Sequence, residues 1–203
     1  METETTKPYT SGKAELHRIL AANCPLTPAA WADFETLLRP QFLTKGEYLC
    51  EEGAYPSDAA YLISGVARAF YRNQEGVEYN KTFFTDGSFP SPLAALILQA
   101  ENYINLQALV DCHIFWISYP KLTALFALHR CLETFVRRMV ELTWVEKELR
   151  EINMVMKDAT ANYQLFRERF PSLEGQIPQY HIASYLGITP IQLSRIRAKL
   201  AKG

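Results

Sequence analysis

The sequence predicts an α+β fold with a small antiparallel β roll, or jelly roll, followed by helices. Three observations carry this prediction. Short β-prone runs recur from Phe42 to Ser118, an unbroken helical pattern of apolar residues spans 130–157, and two short helical patterns flank a glycine between Ile182 and Leu200. Strands at such regular spacing favour a roll over βαβ units.

Composition narrows the class of protein. The 203 residues are 48% hydrophobic and 12% aromatic, enough for a substantial core. No apolar run approaches the ~20 residues of a membrane span, and the polar start METETTKPYTSGK lacks a secretory signal. We therefore expect a cytoplasmic protein with no membrane partner. The four cysteines form no CxxC pair, which argues against zinc or an iron–sulfur cluster and predicts buried thiols.

The first elements are readable from local signals. Residues 11–39 show helical spacing, interrupted near Thr27 and Pro28, which fit an N-cap followed by proline at the first helical position. Prolines at 90 and 92 exclude a central strand there, so a loop is expected to lead into a short helix, LAALILQA. The β-prone runs are GEYLCEEG, AYLISGVARAFYR, VEYNKTFF, YINLQALV and HIFWIS.

The pattern over 130–157 predicts a helix of about 28 residues, or roughly 40 Å. Its apolar face is too broad to stay in water alone. Two partners are possible: a second copy of the chain, or the chain's own β domain. The first interpretation gives a dimerisation helix with the contact residues Leu132, Phe135, Val136, Met139, Leu142, Leu149 and Ile152.

The last part of the chain has the signals of a helix-turn-helix. Asp158 can cap a helix that stops before Pro171, and SLEGQIP then leaves room for only a turn or minimal hairpin. A helix-turn-helix needs a small residue where its helices cross and a hinge with positive φ, and Ala183 and Gly187 supply them. The apolar anchors are Ile182, Leu186, Ile188, Leu193, Ile196 and Leu200.

The second helix of this pair has a polar, cationic face. Thr189 is its expected N-cap and Pro190 its first residue, and no acidic residue follows Gly175. Arginine can bind guanine with two hydrogen bonds, glutamine can do so with adenine, and an exposed isoleucine can meet a thymine methyl. A helical hairpin with a merely solvated face is the alternative. The predicted DNA-binding residues are Thr189, Pro190, Ile191, Gln192, Ser194, Arg195, Arg197 and Lys199.

The segment "IASYLGITPIQLSRIR" closely resembles the ending of a large branch of the Crp/Fnr family of bacterial transcription regulators. "GEYLCEEG", "AYLISGVARAFY" and "WISYPKL" are similar to other parts of that family. The resemblance covers about residues 15–203. It implies a double-stranded β-helix (1–129), a dimerisation helix (130–157) and a winged helix-turn-helix with a minimal wing (158–203). Ile191 departs from the family, since many relatives have a base-reading glutamate there.

The same resemblance implies function. The expected partners are double-stranded DNA, a second copy, an unknown small-molecule effector and, for an activator, RNA polymerase. Members that bind cyclic AMP use a glycine–glutamate pair and an arginine, but here the loop is Phe-Pro-Ser-Pro-Leu (89–93) and the arginine's place falls near Asn102. A phosphate without a cation would be costly to bury, so cyclic AMP is not expected. The candidate effector-pocket residues are Phe89, Ser91, Asn102, Tyr103, Trp144 and Glu148.

Other function classes fit the sequence less well. A cupin-like enzyme needs a converging HxH and carboxylate set, and only His113 lies in the β region. The histidines lack ligand spacing for haem, and one cysteine before residue 50 is too few for an oxygen-sensing cluster. We therefore predict no catalytic residues, no metal and no cofactor. A ligand-binding protein whose last helices contact a protein partner stays open.

Overall fold

The computed structural model describes residues 7–201. The helices are α1 (Lys7–Asn23), α2 (Pro28–Glu35), α3 (Leu93–Leu98), α4 (Tyr119–Ala124), α5 (Arg130–Met156), α6 (Ala159–Arg169), α7 (Gln179–Leu186) and α8 (Pro190–Leu200), with 3₁₀ turns at Leu125–Ala127 and Leu173–Gly175. The strands are β1 (Leu38–Leu43), β2 (Tyr48–Cys50), β3 (Asp58–Ser64), β4 (Ala67–Arg72), β5 (Glu78–Phe84), β6 (Asn105–Ala108) and β7 (Cys112–Ser118).

These elements form two compact units. Unit 1 comprises the described residues up to Ala69 together with Phe83–Glu141, and unit 2 comprises Phe70–Thr82 together with those from Leu142 onward. β4, β5 and α5 therefore each contribute to both units. The boundaries of these units differ from those of the predicted domains 1–129, 130–157 and 158–203. The division into those three domains stays a prediction.

Unit 1 contains most of the roll. The strands of the roll form two sheets, with the orders β1-β7-β3 and β2-β6-β4-β5. β7 is central in the first and pairs antiparallel with both neighbours, as in Leu38↔Ile117 and Tyr61↔Phe115. Each predicted β run contains an observed strand, and the run over 60–72 divides into β3 and β4 at Gly65. A Cβ at Gly65, where φ is +120°, would lie 2.6 Å from the Cys112 sulfur, so this turn requires glycine.

The N-terminal helices pack onto the roll. The Thr27 hydroxyl accepts a hydrogen bond from the Ala30 amide, and Pro28 is the first residue of α2, both as predicted. The helical prediction for 11–39 is wrong at its end, because residues from Leu38 pair with β7 as strand β1. One buried cluster joins α1, α2 and the start of α5 to the first sheet, through residues that include Leu16, Leu20, Phe34, Phe115, Leu132 and Phe135.

Unit 2 combines the last helices with the β-hairpin 70–82. Asp158 caps α6 as predicted, its carboxylate accepting a hydrogen bond of 2.8 Å from the Ala161 amide. The predicted α+β class is confirmed, with a roll followed by helices. Between α6 and α7 the described chain forms only the 3₁₀ turn, so the minimal wing is reduced to a turn. The buried apolar side chains from α6 to α8, including the turn between α6 and α7, are Tyr163, Phe166, Phe170, Leu173, Ile177, Ile182, Ala183, Tyr185 and Leu193.

Candidate nucleic-acid interface

The turn between α7 and α8 has the predicted hinge. Gly187 has a φ of +68°, the left-handed conformation that glycine adopts without strain. The amide of Ile188 donates a hydrogen bond of 3.0 Å to the Ala183 carbonyl, which closes the end of α7. Ala183 is buried, as expected for the small residue of this motif. The sequence therefore sets the turn locally, through one small residue and one glycine.

Two anchors hold the helices together. Ile182 on α7 and Leu193 on α8 are both fully buried. The structure describes every residue of α8, and Leu193 is the one buried residue among them. Ile188 and Ile196 are half-buried beside them. α8 is thus held by one side chain and its immediate neighbours, and the rest of its surface is available for other contacts.

The start of α8 is a complete capping box. The Thr189 hydroxyl accepts a hydrogen bond of 3.1 Å from the Gln192 amide, and the Gln192 side-chain oxygen accepts one of 2.9 Å from the Thr189 amide. Pro190 lies at the first helical position. The N-cap was predicted from the sequence, whereas the reciprocal bond from Gln192 was not. Adenine recognition by Gln192 requires its carbonyl oxygen to accept a second hydrogen bond or to leave the cap.

The predicted DNA-binding residues share an exposed face, with one partial exception. Ile191 is 65% exposed, so its side chain is free to contact a partner. Thr189, Pro190, Gln192, Ser194, Arg195 and Lys199 are exposed as well. Arg197 is half-buried, and its Nε lies 3.6 Å from the Glu174 carboxylate. Lys202, the last basic residue of the sequence, lies outside the described residues.

Glu174 contacts side chains of both α6 and α8. Its carboxylate accepts a hydrogen bond from the Tyr163 hydroxyl and forms ion pairs with Arg167 and Arg197. Burial, followed by the Glu174 contact, raises the pKa of Tyr163 to about 12, so its hydroxyl stays protonated and donates. Sequence reasoning missed this residue. The available signal was that Glu174 is the last acidic residue before a stretch holding only basic charges.

The β-hairpin 70–82 forms hydrogen bonds with α7. The Asn80 amide donates a hydrogen bond of 3.0 Å to the Ser184 hydroxyl, which donates one of 2.9 Å to the Glu78 carbonyl. The Asn80 side chain donates a further bond of 3.0 Å to the His181 carbonyl. These partners lie about 100 residues apart in the sequence, and no local pattern indicates such a contact. Ser184 and Asn80 therefore fix α7 within unit 2.

The predicted dimerisation residues separate into two groups. Leu132 and Phe135 are buried in the core of unit 1, and Val136 and Met139 pack against that core. For Leu132 and Phe135 the prediction of contact with a second copy is not supported, because the chain's own helices α1 and α2 already cover them. Leu142, Leu149 and Ile152 are each at least half exposed in the single chain. The alternative, a helix lying on its own β domain, is thus supported for the first part of α5.

The candidate effector-pocket residues are not gathered into one site in unit 1. Phe89 contacts the rings of Tyr61 and Phe135, and the Ser91 hydroxyl accepts a hydrogen bond from the Ala60 amide. The buried Asn102 amide donates to the carbonyls of Glu51 and Ile104. These side chains have structural roles, as local packing predicts for loop residues. Tyr103 is exposed, as are Trp144 and Glu148 in unit 2.

Unit 2 has a groove that sequence reasoning did not anticipate. It lies between α5, α6 and α7 and has a volume of about 400 Å³. Arg150 and Tyr185 both line this groove. The Arg150 guanidinium donates a hydrogen bond of 3.0 Å to the Tyr185 carbonyl and stacks over the Tyr185 ring. Nearby, burial lowers the pKa of Lys81, and the charges of Lys147 and Arg150 lower it further. α5 therefore carries a cationic side toward the hairpin as well as its apolar stripe.

No group of three His, Cys, Asp or Glu side chains within residues 7–201 is arranged to hold a metal ion. Over the same residues, no helix combines the length and the apolar character that crossing a membrane requires.

Several known proteins are similar to this chain. Residues 40–129 match the family model of the cyclic nucleotide-binding domain. A comparison with curated proteins gives no match. FixK2 from Bradyrhizobium japonicum superposes with a TM-score of 0.71 at 16% identity, covering 81% of this chain and 85% of that one. A protein described as a transcriptional regulator of the Crp/Fnr family, from Eubacterium rectale, gives 0.68 at 18% identity, over 88% and 86% of the two chains.

A third structure, described as a cAMP-binding regulatory protein from Silicibacter pomeroyi, gives a TM-score of 0.64 at 17% identity, over 95% of this chain and 88% of that one. At such identities the likeness shows the fold alone. The resemblance carried by the C-terminal motif is confirmed at that level: residues 40–129 match the model of the cyclic nucleotide-binding domain, and the chain has the fold of solved regulators of the Crp/Fnr type.

Proposed function

We propose that the protein is a DNA-binding transcription regulator of the Crp/Fnr type. It acts as a homodimer in the cytoplasm, reads a partly palindromic operator and catalyses no reaction. The observation that carries the proposal is the surface of α8. Leu193 is fully buried, while Ile191, Gln192, Ser194, Arg195 and Lys199 stand on the exposed side of a well-capped helix.

The chemistry of that face suits the major groove. An α-helix fits the groove, and residues in its first turns reach the base edges. Arg195 offers the paired donors that recognise guanine, and Ile191 offers an apolar contact to a thymine methyl. Lys199, one turn beyond Arg195, is placed for a phosphate. Arg197 is engaged with Glu174 and is expected to contribute less than Arg195.

A dimer would bind an operator through two α8 helices, which explains how a surface as small as one α8 face could give high affinity for DNA. Two recognition helices about 34 Å apart address successive turns of one DNA face, which is why two-fold proteins read palindromes. The exposed stripe on the second part of α5 supplies the surface for such pairing. An effector would act by changing the populations of dimer conformations that present the two helices differently.

Arg195→Ala is the decisive variant. After operator selection with the wild-type dimer, we expect this variant to lose about 5- to 150-fold in affinity for the selected site and to relax its base preference at one position in each half-site. Lys199→Ala should weaken all sequences alike and reduce the salt dependence by about one phosphate. Fluorescence anisotropy across a salt series measures both.

Lys121→Ala on α4 is the matched control, since it removes an exposed cation of unit 1 and should leave affinity unchanged. Equal affinity of the wild type for all DNA sequences, or no retention on heparin and DNA, would reject specific readout. The second outcome would favour the alternative in which these helices contact a protein partner.

We also expect no physiological binding of cyclic AMP. The side-chain amide of Asn102, near the place of the phosphate-binding arginine, is already engaged by two backbone carbonyls. Phe-Pro-Ser-Pro-Leu replaces the ribose-binding loop. Isothermal calorimetry should therefore show no sub-micromolar affinity for cyclic AMP or cyclic GMP. The control is Asn102→Arg, which tests whether one cation restores binding; sub-micromolar affinity in the wild type would contradict the expectation.

A further inference from the structure

Two segments of unit 1 meet at a β-bulge, just after strand β2 and just before its antiparallel partner β6. The Gly53 amide donates a hydrogen bond of 2.8 Å to the Asn102 carbonyl, and the Asn102 amide donates one of 2.8 Å to the Ala54 carbonyl. Gly53 has a φ of +86°. Two residues opposite one, with a glycine of positive φ in the first position, form a bulge of the G1 type. The bulge therefore fixes the chain around Gly53 against the chain around Asn102.

Side chains add further bonds between the same two segments. The buried Asn102 amide donates a hydrogen bond of 2.9 Å to the Glu51 carbonyl and another to the Ile104 carbonyl. The Glu52 amide donates one of 3.1 Å to the side-chain oxygen of Asn105. The backbone over 51–54 is thus tied to 102–105 at several points, so the side chains that it carries outward stand on a fixed base.

The two most exposed tyrosines among the described residues flank this bulge. Tyr55 is 75% exposed and Tyr103 is 72% exposed, and each directly follows a residue of the bulge. Neither side chain forms a hydrogen bond or a ring contact with residues 7–201. Tyrosine is enriched at protein interfaces, where its ring is covered and its hydroxyl stays hydrogen-bonded. Two such rings on a fixed loop therefore indicate a contact surface.

Three exposed carboxylates lie in the same two segments, those of Glu51, Glu52 and Glu101. Glu101 stands over the bulge, since one of its carboxylate oxygens would lie 3.8 Å from a Cβ at Gly53. No lysine or arginine occurs in residues 46–67 or 82–120. Within the described part of the chain, none of the three carboxylates forms an ion pair. The bulge patch, as we name this surface, consists of Glu51, Glu52, Tyr55, Glu101 and Tyr103.

The other acidic residues of these two stretches each have a partner within the chain. Asp58 forms an ion pair with Arg39. The remaining three accept hydrogen bonds from backbone amides, and they are Glu47, Asp86 and Asp111. The carboxylates that have no such structural role are thus those of the bulge patch.

A buried hydrogen-bond donor beside the patch has no partner. Asn105 is 4% exposed, and its side-chain nitrogen forms no hydrogen bond. The side chain is directed at the loop that carries Glu51 and Glu52, because its oxygen accepts the hydrogen bond from the Glu52 amide. Buried donors are nearly always paired in folded proteins. An acceptor from a bound partner, such as a main-chain carbonyl, would supply the missing bond.

We propose that the bulge patch binds a basic, arginine-containing segment of another protein. A guanidinium group stacks on the face of a tyrosine ring and forms paired hydrogen bonds with a carboxylate, so arginine suits both kinds of side chain in the patch. Lysine has the charge but not the planar group. Three carboxylates without cations repel phosphates, which excludes nucleic acid as the partner of this surface. The patch belongs to unit 1, whereas α8 belongs to unit 2, so the proposal does not depend on DNA binding.

The experiment measures, by fluorescence anisotropy, how the full-length protein binds a labelled peptide of alternating arginine and glycine. The wild type should bind it in preference to the matching glutamate peptide, and added salt should weaken the binding. The triple variant Glu51→Gln, Glu52→Gln, Glu101→Gln should lose this binding. The double variant Tyr55→Ala, Tyr103→Ala should lose about tenfold or more in affinity. The double variant Tyr55→Phe, Tyr103→Phe keeps both rings and should bind nearly as the wild type does.

The control is the triple variant Glu75→Gln, Glu148→Gln, Glu168→Gln, which removes the same charge from exposed positions of unit 2 and should bind the peptide unchanged. A wild type that does not bind the arginine peptide would overturn the proposal, as would patch variants that bind it as tightly as the control. Self-association of the wild type that the tyrosine-to-alanine variant abolishes would overturn it as well, because the patch would then serve a second copy of the chain.

Discussion

The Leu149→Asp, Ile152→Asp double variant is expected to be a single-chain species in solution. In the second part of α5, Leu142, Val145, Leu149, Ile152 and Met156 alternate by three and four residues, the spacing of a coiled-coil seam. Each of these side chains is about half exposed or more in the single chain. Burying aspartates at two adjacent seam positions, beside their copies in a partner, would cost several kcal/mol.

Loss of the dimer should weaken binding to the full palindrome by roughly 10²- to 10⁴-fold, the gain that linking two binding events provides. Sedimentation equilibrium measures the first effect and anisotropy the second. Lys147→Asp, on the same helix but away from the seam, is the control and should stay dimeric. A double variant that remains dimeric would show that another surface holds the copies together.

Leu193→Ala should be the most damaging single change to the helix-turn-helix. Leu193 is fully buried and is the one buried residue of α8. Truncating such a side chain costs about 2–5 kcal/mol, from lost burial and from the cavity left behind. α8 would then lose its position on α7, and operator affinity would fall even though every exposed residue is retained.

Denaturant unfolding followed by the fluorescence of Trp144, which lies in unit 2, measures this cost. Trp31 and Trp116 belong to unit 1 and are replaced by phenylalanine in the parent protein. The neighbouring exposed change Ser194→Ala is the control and should leave the unfolding midpoint within about 0.5 kcal/mol of the parent. An equally small effect of Leu193→Ala would mean that α8 is held by contacts other than this anchor.

The helix-turn-helix could be predicted because its signals are local. A cap, a proline and a glycine each act on the backbone within a few residues of their own position. The same holds for Thr27 and Asp158 as caps. Strand β1 was missed because its residues follow α2 with apolar spacing that also fits a helix, and only the pairing with β7 decides between the two.

What a side chain faces was harder to predict than whether it is apolar. Leu132 and Leu149 belong to one continuous pattern, yet the first is buried by α1 and the second is exposed. The effector-pocket candidates were placed by position in the family pattern, and Asn102 instead satisfies loop carbonyls. The partners of Glu174 and Asn80 come close to them only in the folded chain, so no periodicity in the sequence predicts these contacts.

The hairpin 70–82 makes the cationic end of the chain inseparable from its middle. A fragment that begins at Leu142 would contain every helix that follows but would lack Glu78 and Asn80, the partners of Ser184 and His181. No single cut of the backbone releases unit 2 intact. Gene fusions or chimaeras that exchange the last sixty or so residues as a cassette must therefore exchange two stretches of sequence together.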